Sequence, residues 1–507
     1  MNLRIPALIT ALALVFGAWA QAEVEFQKGD SIVYLGNSLA DRMQHDAWLE
    51  TLIQSKEGAK QLSFRNLGLS GDRVANRPRN RGFMPVDDYL KHLKADVIFS
   101  FFGYNESFDG DGGLAKFKDE LGKMVDSYRA LKPNGESEPR IVLFAPIAHE
   151  DLGSRNLPDE KENNERLAKY AAATKEVAEA KKAGFVDLFA ISSALYDASE
   201  APLTINGIHL NAEGNRLVGE KIAQQLLGSE IAASGELEAL REAVLDKNDH
   251  WFQRYRAVDG NDIWGGRSTL KFVDDQSNAE VLQQELVMLD VMANNRDERI
   301  WALATGGDQV VDDSNVPKPI PVISNVGGGS KSSNAQKEGS LEYVSGEEGA
   351  EMLKVRDGFE VNLFADEKMF PQLVNPVQMQ VDGKGRLWVA SWPTYPKVEP
   401  LQPRNDALLI LPDEDRDGVA DKVIEFAKID NPLGFEFWNG GVIVSSQPDL
   451  IFLKDTDGDD IADVRHVILQ GIGSADTHHA ANNLIYGPDG AIYWQSGVFL
   501  MNNMEHP

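Results

Sequence analysis

Ser31-Ile32-Val33-Tyr34-Leu35-Gly36-Asn37-Ser38-Leu39 decides how the first part of this chain folds. Ser31 to Leu35 read as an apolar strand, and Ser38 follows where the strand ends. Open α/β sheets hold their ligands beyond the carboxyl ends of their strands, so a hydroxyl there stands in a nucleophile's position. Three further blocks follow in order: Ser70-Gly71-Asp72, Gly103-Tyr104-Asn105-Glu106 and Asn206-Gly207-Ile208-His209. A glycine lets a backbone N–H approach a developing oxyanion, an asparagine amide adds a second donor, and a histidine takes the serine proton. Each block is weak alone, and their order and spacing carry the signal.

Working outward, strand-like segments Leu62 to Leu67, Asp96 to Phe102, Arg140 to Pro146 and Gly184 to Leu188 alternate with helix-like ones. Leu114, Phe117, Leu121, Met124, Val125 and Tyr128 recur at helical spacing, as do Leu167, Tyr170, Ala171 and Val177. Alternation of this kind predicts a parallel sheet covered by helices, a three-layer α/β/α domain. Gly71 and Asn105 then fall at or beyond strand ends, beside Ser38.

The four blocks resemble the SGNH (GDSL-type) hydrolases, a family of flavodoxin-like fold, over roughly residues 30 to 228. The resemblance implies Ser38 as nucleophile and first oxyanion donor, Gly71 and Asn105 as further donors, and His209 as general base. The usual aspartate of the first block is Asn37, which adjusts the turn. The acid normally three residues before the histidine is Asn206. An amide in that position of a serine protease costs about 10⁴ in rate, so Asn206 is expected to orient His209 weakly, or another carboxylate such as Asp187 to substitute. Ester hydrolysis without a cofactor is the expected activity. The resemblance and export together imply acetylated carbohydrate as substrate, and a glycan-binding module with weak catalysis is the alternative.

Met1 to Ala22 carries Arg4, an apolar run from Ala7 to Ala20 and small residues at Ala18, Ala20 and Ala22, the pattern of a secretory signal peptide. A secreted or periplasmic location is expected, with no membrane span. The 507 residues contain no cysteine, which excludes disulfides and c-type haem attachment within the chain. The formal charge of -29 opposes nucleic acid as a partner.

The hydrolase domain is placed at residues 23–228. Residues 229–311 hold helix-like runs around Trp251-Phe252-Gln253-Arg254-Tyr255-Arg256 and are read as a helical appendage. Residues 312–349 are Pro-, Gly- and Ser-rich, a linker.

From residue 350 to 507 the pattern changes to short strands, and the loop Asp413 to Asp421 recurs as Asp455 to Asp463. Periods of 40 to 50 residues with several strands each mark propeller blades. Roughly 150 residues make about three blades, so an incomplete all-β propeller is expected in this chain. Asp413, Asp415, Asp417 and Asp421, then Asp455, Asp457, Asp459 and Asp463, space carboxylates as calcium requires. His479 precedes Gly487-Pro488-Asp489 by eight residues, which resembles quinoprotein sugar-dehydrogenase propellers and the secreted dehydrogenase-like proteins of planctomycetes. That resemblance implies a quinone-side base at His479, with Asn483 standing where arginine is common, and a dehydrogenase fragment as a second alternative.

Overall fold

The computed structural model describes residues 24–79, 82–322 and 344–507. The signal-peptide reading of residues 1–22 lies outside the described residues, as does most of the 312–349 linker.

Five strands form one parallel sheet: β1 (Ser31–Gly36), β2 (Ser63–Asn66), β3 (Val97–Phe101), β4 (Arg140–Phe144) and β5 (Gly184–Val186). They match the five expected strands, with small offsets at the ends. Side chains alternate across a strand, so Ile32 and Tyr34 enter one core while Val33 and Leu35 enter the other. Both faces are covered. Helices α1 (Ser38–Asp46), α2 (Trp48–Glu57), α7 (Leu188–Ala198) and α8 (Ala212–Leu227) close the first through Met43, Leu52, Ile191 and Ile222. Helices α3 (Val86–His92), α5 (Gly110–Leu131) and α6 (Glu160–Lys181) close the second through Tyr89, Phe117, Leu121 and Val177. A short helix, α4 (Tyr104–Ser107), follows β3.

The strand order is β2-β1-β3-β4-β5. In this doubly wound order the chain leaves β1 and β3 in opposite directions, and the crevice between their carboxyl ends is the ligand position. Ser38 follows β1 and Asn105 follows β3, so the topology places both at that crevice.

Helices α9 (Glu238–Arg256), α10 (Gly260–Ile263) and α11 (Asn278–Ala304) pack on this domain. The aromatic and basic run inside α9 is core: Trp251 Nε1 donates to Asn66 O at 2.8 Å and the Tyr255 hydroxyl to Leu67 O at 3.1 Å. Lys247 Nζ donates to Glu50 Oε2 at 2.7 Å, and Arg65 pairs with Asp297 at 2.6 Å, all four groups buried. Removing either partner of such a pair would strand a charge in the interior. Val316 joins Met288 and Met292 of α11, so the start of the Pro-rich segment is packed rather than free.

Beyond the linker, α12 (Gly346–Met352) precedes an all-β region of antiparallel sheets. One holds β6 (Pro376–Val381), β7 (Leu387–Ser391), β8 (Ala407–Leu411) and β9 (Ile424–Lys428). The next holds β10 (Pro432–Trp438), β11 (Gly441–Ser446), β12 (Asp449–Lys454) and β13 (Val464–Leu469), and β14 (Asn482–Tyr486) pairs with β15 (Ile492–Gln495). Trp388, Leu408, Phe426, Phe435 and Val444 form one core shared by the two larger sheets. This region docks on the α/β part: Arg42 Nη1 donates to Val467 O at 2.8 Å, and Asn261 N to Ala475 O at 2.9 Å. Among the described residues no helix is long and apolar enough to cross a membrane.

Candidate active site

Asn37 caps α1, its Oδ1 accepting from Leu39 N at 3.2 Å, so the residue in the usual aspartate position shapes the turn that presents Ser38. Ser38 is wholly buried and donates its hydroxyl to Ser70 Oγ at 2.8 Å. The loop carrying Ser70 and Gly71 is held by Asp41 of α1, which accepts from Ser70 N at 3.3 Å and pairs with Arg256 at 2.5 Å. Glu106 ties this loop to the β3 loop: its carboxylate accepts from Val74 N at 2.7 Å and Gly103 N at 2.9 Å. Asn105 Nδ2 donates to Asp72 O at 3.2 Å. These bonds fix Gly71 and Asn105 beside the serine.

His209 is 3 % exposed. Asn206 Oδ1 accepts from His209 N at 3.1 Å and Ile208 N at 3.4 Å, which turns its amide nitrogen toward His209 Nδ1 at 3.0 Å. An amide nitrogen only donates, so Nδ1 is the acceptor and the proton of neutral His209 sits on Nε2. That is the wrong tautomer for a base, because the nitrogen facing the reaction must be bare to take a proton. Asp187 does not replace the acid. It caps α7, accepting from Ala190 N at 3.1 Å.

Glu505, from the segment after β15, completes the site. Its Oε2 accepts from Asn105 Nδ2 at 2.7 Å, its Oε1 lies 3.5 Å from His209 Nε2, and its backbone N–H points at Ser70 Oγ at 3.3 Å. One carboxylate therefore touches the asparagine donor and the histidine together. No local pattern marks Glu505, which stands roughly three to four hundred positions from its partners. Ser70 could have been found, because it stands in the quoted block beside Gly71.

Burial, reinforced by the Arg42 charge, pushes the His209 imidazole down to about 4, against the opposing pull of Glu505. A base must be neutral, so a depressed value keeps it competent at lower pH. The acid limb of kcat/KM is expected near pH 4 rather than near the usual 6.5 of histidine, with a plateau above it. A pH–rate profile from pH 3.5 to 8 checks this, and a limb near 6.5 would contradict it.

The acidic loops bring together Asp413, Asp415 and Asp421, and separately Asp455, Asp457 and Asp463. Asp417 and Asp459 lie outside these groups and accept from the backbone N–H groups of Val419 and Ile461, each at 2.8 Å, while the converging aspartates also accept backbone N–H groups of their own loops. His479 is exposed, its ring Nδ1 3.2 Å from the buried Asp476 carboxylate.

Residues 29–217 match the model of the GDSL-like Lipase/Acylhydrolase family. Fold and match together support a serine ester hydrolase, the α/β part being similar to the GDSL-like family over residues 29–217. Residues 345–505 match a domain of unknown function, DUF7133. No curated protein matches the chain. Solved structures similar to it include a protein described as a GDSL-like lipase from Parabacteroides merdae, at 15% identity, covering 41% of this chain and 99% of that one with a TM-score of 0.34. A catalytic mutant of an acetylxylan esterase from Geobacillus stearothermophilus is 16% identical, with 42% and 100% covered and a TM-score of 0.33.

Proposed function

We propose that the α/β domain hydrolyses acetyl esters on carbohydrate by acyl transfer to Ser38. Ser38 Oγ attacks the ester carbonyl while His209 takes its proton at Nε2 in the minor tautomer, the one whose ring proton has moved to Nδ1 and whose Nε2 is bare. The oxyanion is held by the N–H groups of Ser38 and Gly71 and by the Asn105 amide, and water then releases acetate from the acyl-enzyme. The observation that carries this reading is that a single carboxylate, Glu505, reaches both Asn105 and His209, so an acyl group of similar size would meet the donor and the base at once.

A cavity of about 440 Å³ lies next to the site, walled by Arg42, one turn past Ser38, and by Asn211, two residues after His209. Gln44, Asn248, Gln253 and Phe252 also line it. Amides around an aromatic face suit a sugar ring. A screen of acetate release from acetylated glycans tests the reading. The orientation of Asn206 favours a second one, a glycan-binding domain with slow turnover. Tight glycan binding without acetate release would select it.

The antiparallel sheets are read as blades of a β-propeller that binds calcium at the two acidic loops. Three carboxylates in each loop lie close enough to share one ion, and oxygen donors suit a hard cation. Calcium at about 100 times its Kd is expected to stabilise the region by about 2.7 kcal/mol. Calorimetry of the full chain with calcium and with chelator checks this, and identical melting curves would return the loops to ordinary turns. Export is inferred from the residues of the first segment, and the quinone-side role of His479 and the dehydrogenase alternative from the resemblance to quinoprotein propellers.

A further inference from the structure

We propose that the Ser38 site is a carboxylate-binding site whose resident ligand is the chain's own Glu505, so that the second domain keeps the hydrolase closed until an acyl group displaces it. The proposal rests on the hydrolase reading above. Ser38 is fully buried, and His209 and Glu505 nearly so. The carboxylate fills the acyl position, one oxygen on the Asn105 amide and the other facing His209 Nε2.

Glu505 is not a displaced triad acid. The acid of a triad bonds the ring nitrogen that faces away from the nucleophile. Here that nitrogen, Nδ1, is held by Asn206, and Glu505 meets Nε2, the nitrogen that must serve Ser38. The contact is therefore that of a bound product or inhibitor.

The segment is held from both domains. Asn503 N donates to Gly471 O at 2.7 Å, and Asn502 Oδ1 accepts from Gly473 N at 2.9 Å, both on the β side. The Tyr104 hydroxyl donates to His506 O at 3.0 Å on the hydrolase side. Gly71 and Gly471 permit the approach: a Cβ on Gly71 would lie 2.6 Å from Asn503 O, and one on Gly471 2.2 Å from the same atom. Such a tethered ligand competes at an effective concentration on the order of millimolar, so it opposes substrate without needing high intrinsic affinity. Displacing it opens the pocket that it fills.

The test compares the 507-residue wild-type chain with Glu505→Ala and the near-isosteric Glu505→Gln, each checked by its melting transition. Three readouts are taken: labelling of Ser38 by a fluorophosphonate, kcat/KM on p-nitrophenyl acetate, and the melting shift with added acetate or propionate. Glu505→Ala is expected to gain at least about tenfold in labelling and in kcat/KM, the effect of removing a competing internal ligand. It is also expected to be stabilised and competitively inhibited by acetate, to which the wild type does not respond. Glu505→Gln, still hydrogen-bonded but uncharged, is expected between the two. Equal labelling and turnover in all three proteins, with no acetate response, would overturn the proposal and leave the hydrolase reading standing. Acetate stabilising only Glu505→Ala, with no protein turning over any ester, would support the internal ligand and overturn the hydrolase reading.

Discussion

Ser38→Ala is expected to abolish hydrolysis of acetyl esters, and His209→Ala to do the same, with the fold intact in both. Loss of the nucleophile or its base in a serine hydrolase removes on the order of 10⁶ in kcat, because the members of such a site act as a unit. Removing the Ser38 hydroxyl leaves Ser70 Oγ with the Glu505 backbone donor, so the local structure keeps a bond. Turnover of p-nitrophenyl acetate, measured beside a melting curve, decides the matter. Wild-type rates in either variant would remove Ser38 and His209 from the chemistry.

Asn206→Asp is expected to raise kcat, by up to about 10²–10⁴, the scale on which an amide impairs a serine protease triad. Aspartate has the same shape. One of its oxygens can keep the bond from His209 N, while the other accepts from Nδ1 instead of donating to it. The ring proton then moves to Nδ1 and Nε2 is left bare. The new carboxylate also stabilises imidazolium, so the histidine pKa rises and the acid limb of the pH profile moves up from about 4. Rate and limb are expected to shift together. A fall in kcat would mean that Asn206 has a role of its own.

Much of the α/β domain was legible in the sequence. Four of the five strands are largely apolar runs, as expected for strands buried on both faces, while β2 (Ser63-Phe64-Arg65-Asn66) is framed by Leu62 and Leu67. The aromatic and basic run from Trp251 to Arg256 was less legible, since a Trp–Arg pattern serves a sugar site and a core seam equally well. The bonds from Trp251 and Tyr255 to the main chain at the end of β2, Asn66 and Leu67, make it core. The acidic loops carried a readable period, but only the folded turns show that Asp417 and Asp459 bond their own backbone while their neighbours converge.

The alternation of apolar strands and helical faces by itself determined the helix-covered parallel sheet and placed Ser38 and Asn105 just beyond its strand ends, because strand periodicity and turn chemistry act over a few residues and are written locally. The tautomer of His209, the bond of Ser38 to Ser70 and the place of Glu505 against Asn105 and His209 were decided by the tertiary structure alone. Each depends on where a hydrogen-bond donor or acceptor lands after distant segments pack. A sequence names such groups without giving the distances between them.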